Sequence, residues 1–218
     1  EGCNPRVVFE HIYDDDVWVG GGSGHGSDPR AALPWVDLVA ETLRTFSVTS
    51  VVDAGCGDWR MWPTDAFAHV DYLGVDVVPS VIADNRAAHG APGRSFEVAD
   101  LLTVDLPCAD LLITKDVWQH WENEQVLHFL QNNAGKYRVI LAANDIRLNT
   151  LRSRAHIMLQ GRGQNSRGKL GDWRPLDLRK RPFAQLGFER MLEFRAGNFV
   201  KAAFMLQRRG GEPPKDDQ

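Results

Sequence analysis

Ser50-Val-Val-Asp53 runs without interruption into Asp53-Ala-Gly-Cys-Gly57, and this stretch decides the fold. A short β-branched run that breaks on paired glycines reads as a strand ending in a tight turn. There the backbone approaches a ligand closely, and the helix expected next offers free N–H groups to a negative group. A dinucleotide fingerprint asks for a third glycine three residues after Gly57. Arg60 stands there, which disfavours a bound pyrophosphate.

Outward from this point the pattern repeats. Tyr72–Asp76, Phe96–Asp100, Leu111–Asp116 and Tyr137–Asp145 are apolar runs that each close on an acidic residue, and Pro79–His89 and Glu122–Asn133 between them are helix-capable. Strands alternating with helices predict a parallel sheet covered on both faces, with the strand-end acids at the ligand crevice. Upstream, Ser27 or Asp28 can cap a helix with Pro34 near its first turn, and Val36, Val39, Ala40, Leu43 and Phe46 recur at helical spacing. Downstream, Phe188–Phe194 and Asn198–Gln207 read as a closing antiparallel hairpin turning at Ala196-Gly197.

The 218 residues, 43% apolar and 25% charged, suit one globular domain over 1–207 followed by a loose tail, 208–218. A formal charge of −4 argues against a dedicated nucleic-acid binder. Apolar runs such as Val139–Ala143 fall far short of the ~20 residues that span a bilayer. No signal peptide is expected at the N-terminus, and Cys3, Cys56 and Cys108 show neither metal-ligand spacing nor an even count, so a reducing cytoplasm is the expected location.

Asp76 lies 19 positions after Gly57, where a carboxylate accepts both hydroxyls of a ribose. Asp100 is placed to accept from an adenine amino group, with Leu101 against the ring. With Asp53-Ala-Gly-Cys-Gly57 read as acid-x-Gly-x-Gly, the region Ser50–Asp145 resembles the class I S-adenosyl-L-methionine (SAM) dependent methyltransferases. The resemblance implies a Rossmann-like, doubly wound, mostly parallel seven-stranded α/β sheet with a C-terminal antiparallel hairpin. It also implies that Asp53, Gly55 and Gly57 flank the methionine portion of SAM, Asp76 with neighbouring Val77 holds the ribose, and Asp100 and Leu101 meet the adenine. Lys115, at the end of the fourth strand, joins that set. Trp18 and Gly171-Asp-Trp-Arg-Pro-Leu-Asp-Leu178 are further similar to a bacterial subgroup acting on glycans, the actinobacterial sugar O-methyltransferases, some of which modify methylmannose polysaccharide.

Transfer to a hydroxyl needs alignment and a base. In Lys115-Asp-Val-Trp-Gln-His120, His120 is the candidate base, with Asp116 beside it; capping of the following helix is the competing role for this histidine. Asp116, Asn144 and Asp145 end adjacent strands and form an oxygen-rich set that suits Mg²⁺, although catechol-type methyltransferases order the last two residues the other way. The N-terminal segment 1–27, with five glycines between Gly20 and Gly26, is expected to fold over the site and bring Trp18 and Ser23 to the cofactor. Residues 146–183 read as a basic lid, containing Arg152, Arg154, Arg162, Arg167 and Lys169, with Trp173 and Arg174 as acceptor contacts alongside Trp121.

The expected acceptor is a small molecule or oligosaccharide, and a homo-oligomer is compatible with the chain. Two other readings stay open: an NAD(P)-linked oxidoreductase on the same architecture, and a non-catalytic SAM-binding or RNA-associated module. Base methyltransferases fit poorly. Lys115-Asp-Val-Trp118 replaces the Pro-Pro-aromatic sequence of the amino-directed class, and Pro107-Cys108 precedes the fourth strand.

Overall fold

The computed structural model describes residues 4–15, 17–18, 21–150, 158–159, 161 and 163–208. Cys3, Gly20, Arg152, Arg154, Arg162 and all of the expected tail after Arg208 lie outside them.

The sheet has the order β3-β2-β1-β4-β5-β7-β6, built from β1 (Ser50–Ala54), β2 (Asp71–Asp76), β3 (Arg94–Val98), β4 (Ala109–Lys115), β5 (Tyr137–Leu148), β6 (Glu189–Ala196) and β7 (Phe199–Gln207). The first five are parallel, and β7 enters antiparallel between β5 and the edge strand β6. Every residue of β4 is buried, as a central parallel strand covered on both faces requires. Leu112, Ile140 and Ala142 pack on one face with Val126, Phe129 and Leu130 of α4 (Asn123–Asn133). On the other, Leu111, Ile113 and Leu141 meet Trp35 and Val39 of α2 (Pro29–Thr45) and Ile82 of α3 (Pro79–His89). β1 and β4 are neighbours whose chains leave in opposite directions across the sheet, so a crevice opens at their carboxyl ends. Among the described residues no helix is long and apolar enough to cross a membrane.

Capping fixes the helix boundaries. Asp28 accepts from the N–H groups of Arg30 and Ala31 ahead of α2, and Glu122 forms a capping box with Gln125 ahead of α4. Pro34 sits deeper in α2 than the first turn, and Ala40 is exposed; the buried stripe is Ala32, Trp35, Val36, Val39 and Thr42. The N-terminal stretch is not a loop throughout, because Pro5–Asp14 forms a helix, α1. Asn4 caps it, Pro5 presets the first turn, and Arg6 pairs with Glu10 one turn on at 2.8 Å.

Two further expectations are corrected. No helix follows the glycine turn. Gly55, Gly57 and Trp59 take left-handed φ values of 83°, 56° and 57°. The chain then passes through turns to Val70, burying Trp59, Met61, Trp62 and Phe67 against the sheet where a helix would have packed. Free helical N–H groups are therefore not what this turn offers a ligand. The second concerns residues 146–183, read as a basic lid, whose two ends belong to the core while 163–173 stay half-buried or exposed. β5 runs on to Leu148, and Leu176, Leu178 and Phe183 are wholly buried beside α4. The main chain of 163–183 is tied down through Gly171 N–H to His120 O (2.8 Å) and Leu176 N–H to Asp145 O (2.7 Å). Arg208, placed by sequence in the loose tail, donates its N–H to Arg138 O at 3.0 Å.

Candidate active site

A cavity of about 410 Å³ opens at the carboxyl ends of β1, β2 and β4, within the range typical of small-molecule sites. On one side lie Gly55, Gly57, Asp76, Val77, Asp100 and Leu101. Asp76 is held rigidly: its carboxylate accepts from Gly57 N–H at 3.0 Å and from Val78 N–H at 3.1 Å. Burial pushes its pKa above the usual carboxylate value, against the pull of these backbone donors. Asp100 lies two residues past β3, where its side chain accepts from Leu102 N–H at 2.9 Å.

The roof is α1 with the glycine run. Tyr13 and Ser23 share a hydrogen bond of 2.7 Å, Ser23 Oγ accepts from Asp58 N–H at 2.8 Å, and Ser23 N–H donates to Asp58 at 3.0 Å. The Arg60 guanidinium donates to the carbonyls of Gly21 (2.9 Å) and Gly24 (2.6 Å). The residue that replaces the third fingerprint glycine thus latches the N-terminal segment onto the first-strand turn. Gly57 has to be glycine, since a Cβ there would stand 2.3 Å from Ser23 Oγ.

Trp18, from the roof, covers His120 with ring centroids 5.2 Å apart, and Phe9 approaches the imidazole edge-on at 6.5 Å. His120 is 5% exposed and sits in a short 3-10 turn, Trp118–His120, after β4; Glu122 caps α4, so the capping role falls away from the histidine. Among the described residues its Nδ1 is buried without a hydrogen-bond partner. Burial pushes its pKa down to about 4, leaving a neutral imidazole at physiological pH.

The remaining wall is ionic. Lys201 Nζ donates to Asp116 Oδ1 and Asp145 Oδ1, each at 2.6 Å, while Lys115 Nζ donates to Asp116 Oδ2 (2.6 Å) and Gly26 O (2.7 Å). Asp145 also accepts from Gln119 Nε2 at 3.2 Å and Trp173 Nε1 at 2.8 Å. Burial alone would raise Asp116, but the two ammonium groups outweigh it and hold the carboxyl well below its ordinary range. Burial lowers Lys115. For Lys201 the burial effect is overcome by the paired carboxylates, which raise it. Asp116 itself takes a left-handed φ of 61°, a strained backbone for a side-chain-bearing residue and one that clusters at functional sites.

Fourteen of the sequence-derived candidates line this one cavity: Trp18, Ser23, Gly55, Gly57, Asp76, Val77, Asp100, Leu101, Lys115, Asp116, His120, Trp121, Asp145 and Trp173. Three do not. Asp53 shares the face of β1 that carries Val51 and accepts from Tyr72 OH at 2.7 Å; burial raises its pKa to about 7. Asn144 faces the opposite side of β5 from Asp145, because successive strand residues alternate. Arg174 is 1% exposed, with Nη2 donating to Trp121 O at 2.6 Å, and it braces the loop under the cavity instead of facing an acceptor.

The proposed Mg²⁺ set is likewise corrected. Among the described residues no group of three or more His, Cys, Asp or Glu is arranged for a metal. The point between Asp116 and Asp145 is filled by the Lys201 ammonium.

Phe9 and Tyr13, aromatic residues of the N-terminal segment, also line the cavity, as do Gln119, Phe199 and Lys201, which were not read from the sequence as site residues. Lys201 did leave a trace, as a lone charge inside Phe199-Val-Lys-Ala-Ala-Phe-Met205.

Solved structures share this architecture. The magnesium protoporphyrin IX methyltransferase of Synechocystis PCC 6803 with bound SAH superposes with a TM-score of 0.66 at 16% identity, covering 94% of this chain and 100% of that one. The chain has the fold of SAM-dependent methyltransferases. The N-terminal domain of EvdMO1 with SAH bound gives 0.59 at 20% identity over 95% of this chain and 98% of that one. Human N-acetylserotonin methyltransferase in complex with SAM gives 0.55 at 14% identity over 94% of this chain and 60% of that one. No protein-family model and no curated protein sequence matches the chain.

Proposed function

We propose that this methyltransferase-fold chain is a SAM-dependent O-methyltransferase acting on a hydroxyl of a saccharide. The observation that carries the reading is the convergence, in one roofed cavity at the β1/β4 crevice, of a backbone-fixed carboxylate on β2 with a buried neutral histidine after β4. SAM held there would supply an electrophilic methyl carbon, with the sulfur as its leaving group, to an acceptor oxygen in line with it. Asp76 accepts from the ribose hydroxyls, and Leu101 and Asp100 meet the adenine. His120, neutral and screened from water by Trp18 and Phe9, takes the hydroxyl proton on its imidazole. Trp173 offers a ring face to the C–H surface of a sugar, with Phe199 supporting it at 5.3 Å, while Trp121, 3% exposed, borders the cavity from the core.

SAM or SAH added at about 100 times its dissociation constant is expected to stabilise the native state by about 2.7 kcal/mol, whereas NAD(H) and NADP(H) leave the melting temperature unchanged. A thermal-shift series reads both. Stabilisation by a nicotinamide cofactor alone would reverse the assignment. Screening labelled methyl transfer onto mono- and oligosaccharides, against phenols as the contrast, tests the acceptor class.

Arg60→Ala removes the latch on Gly21 and Gly24. Because the side chain is about one-third exposed, the expected effect is modest: SAM release about tenfold faster, read by stopped-flow tryptophan fluorescence, with the rate of transfer on the bound complex little changed. An unchanged release rate would show that the roof closes without Arg60.

A further inference from the structure

Lys201 is the residue of the cavity for which neither cofactor nor base chemistry accounts. It stands directly opposite Asp145 in the antiparallel β5/β7 register, where the ladder shifts between Asp145 and Arg147. Such irregularities re-aim side chains at strand ends. Its ammonium lies 2.6 Å from one oxygen of Asp145 and 2.6 Å from one oxygen of Asp116, and its side chain is 3% exposed. The lysine therefore bridges one carboxylate just past β4 and one within the neighbouring parallel strand β5, which is how a divalent cation is bound by paired aspartates in an oxygen site. The remaining ligands of those carboxylates are donors as well. Lys115 holds Asp116, and Gln119 and Trp173 hold Asp145. Each of these donors also borders the cavity. Lys201 thus sets the shape of the wall that carries Trp173 and lies beside His120.

We propose that Lys201 is a built-in cation of the acceptor side of the cavity: a residue that occupies the place of a bound divalent metal, fixes Asp116 and Asp145, and presents its remaining N–H group to an oxygen of the acceptor. An ammonium carries three donors, and two are spent on the carboxylates. A fixed positive charge there favours an oxygen that gains negative charge as its proton departs. This role in transfer rests on the methyl-transfer reading; occupancy of the cation position does not.

The experiment is a Mn²⁺ titration of the full chain read by electron paramagnetic resonance, on wild type, Lys201→Ala and Lys201→Ala/Asp145→Asn. Removing the ammonium exposes two carboxylates to an oxygen-seeking cation, so Lys201→Ala is expected to take up one equivalent at least about tenfold more tightly than wild type, and the double variant to lose it. A folded Lys201→Ala that binds Mn²⁺ no better than wild type overturns the proposal, as does binding that survives Asp145→Asn.

Lys201→Arg keeps the charge and guards against loss of folding in the alanine variant. Its planar fork does not reproduce a point contact to two separate carboxylates, so turnover should fall at least about tenfold while SAM affinity stays within about twofold. Wild-type turnover in Lys201→Arg would overturn the role in transfer. Metal uptake as expected, with no transfer to any acceptor even by wild type, would instead count against the methyl-transfer reading alone.

Discussion

His120→Ala is expected to lower turnover by about 10²- to 10⁴-fold, the usual contribution of a positioned general base, while leaving SAM affinity nearly unchanged. The separation follows from placement, since Asp76, the carboxylate proposed to hold the ribose, ends β2 and the imidazole follows β4. Single-turnover methyl transfer and calorimetric SAM binding read the two effects independently. A variant that transfers at the wild-type rate from pH 6 to 9 would remove His120 from the mechanism.

The histidine also leaves a signature in stability. Burial depresses its pKa from 6.5 to about 4, so the unfolded chain binds the proton more readily than the folded one. Its contribution to stability is therefore complete above about pH 6.5 and is lost progressively as the pH falls toward 4. Relative to wild type, His120→Asn should flatten that part of the pH–stability curve, as measured by urea unfolding at a series of pH values. Asp53 slopes the other way. With its folded pKa raised from 3.8 to about 7 by burial, its contribution is present below about pH 4 and is lost as the pH rises through 7, so the His120 effect is read as a difference between the two proteins.

Asp76→Ala is expected to weaken SAM binding by at least about 100-fold. Two hydrogen bonds from ribose hydroxyls to a charged acceptor, at about 1.5–3 kcal/mol each, account for a loss of that size. The alanine variant also frees the N–H groups of Gly57 and Val78, which the carboxylate now receives, so it loosens the glycine turn as well. Asp76→Asn separates the two causes. The amide retains an oxygen for one donor, keeps the turn closer to its place and still forfeits the charge. Comparable losses in both variants point to direct contact with the ribose. Retention of affinity in Asp76→Asn alone would reduce the role of Asp76 to shaping the turn, and unchanged affinity in both would refute the ribose assignment.

Much of this arrangement was legible in the chain itself. Strand ends announced themselves where β-branched residues gave way to an acid, and β1, β2 and β4 end close to Asp53, Asp76 and Asp116. Pro79 opening α3 and the helix-capable run from Glu122 placed those two helices within a residue, although the cap of α4 is Glu122 and not the histidine. These signals are local. Period, cap and turn chemistry act over a few residues and are written in consecutive letters.

Other features depended on partners far along the chain. The stretch after Gly57 has no helix because Trp59, Trp62 and Phe67 find a buried place against Tyr72 and Phe96, outweighing what a helix would have gained there. The basic run around Trp173 reads as a lid, yet Leu176, Leu178 and Phe183 draw its C-terminal part into the core, and its one buried guanidinium, among the described residues, finds a carbonyl at Trp121. Side-chain direction decided which polar strand residues serve the cavity: Asp145 enters it, while Asn144 next door and Asp53 face other surroundings. The strand ends and helix limits were thus set by neighbouring residues in sequence. The roof over His120 and the Lys201 bridge belong to the tertiary structure, because burying a ring or pairing an ammonium needs groups that only the folded sheet brings within reach.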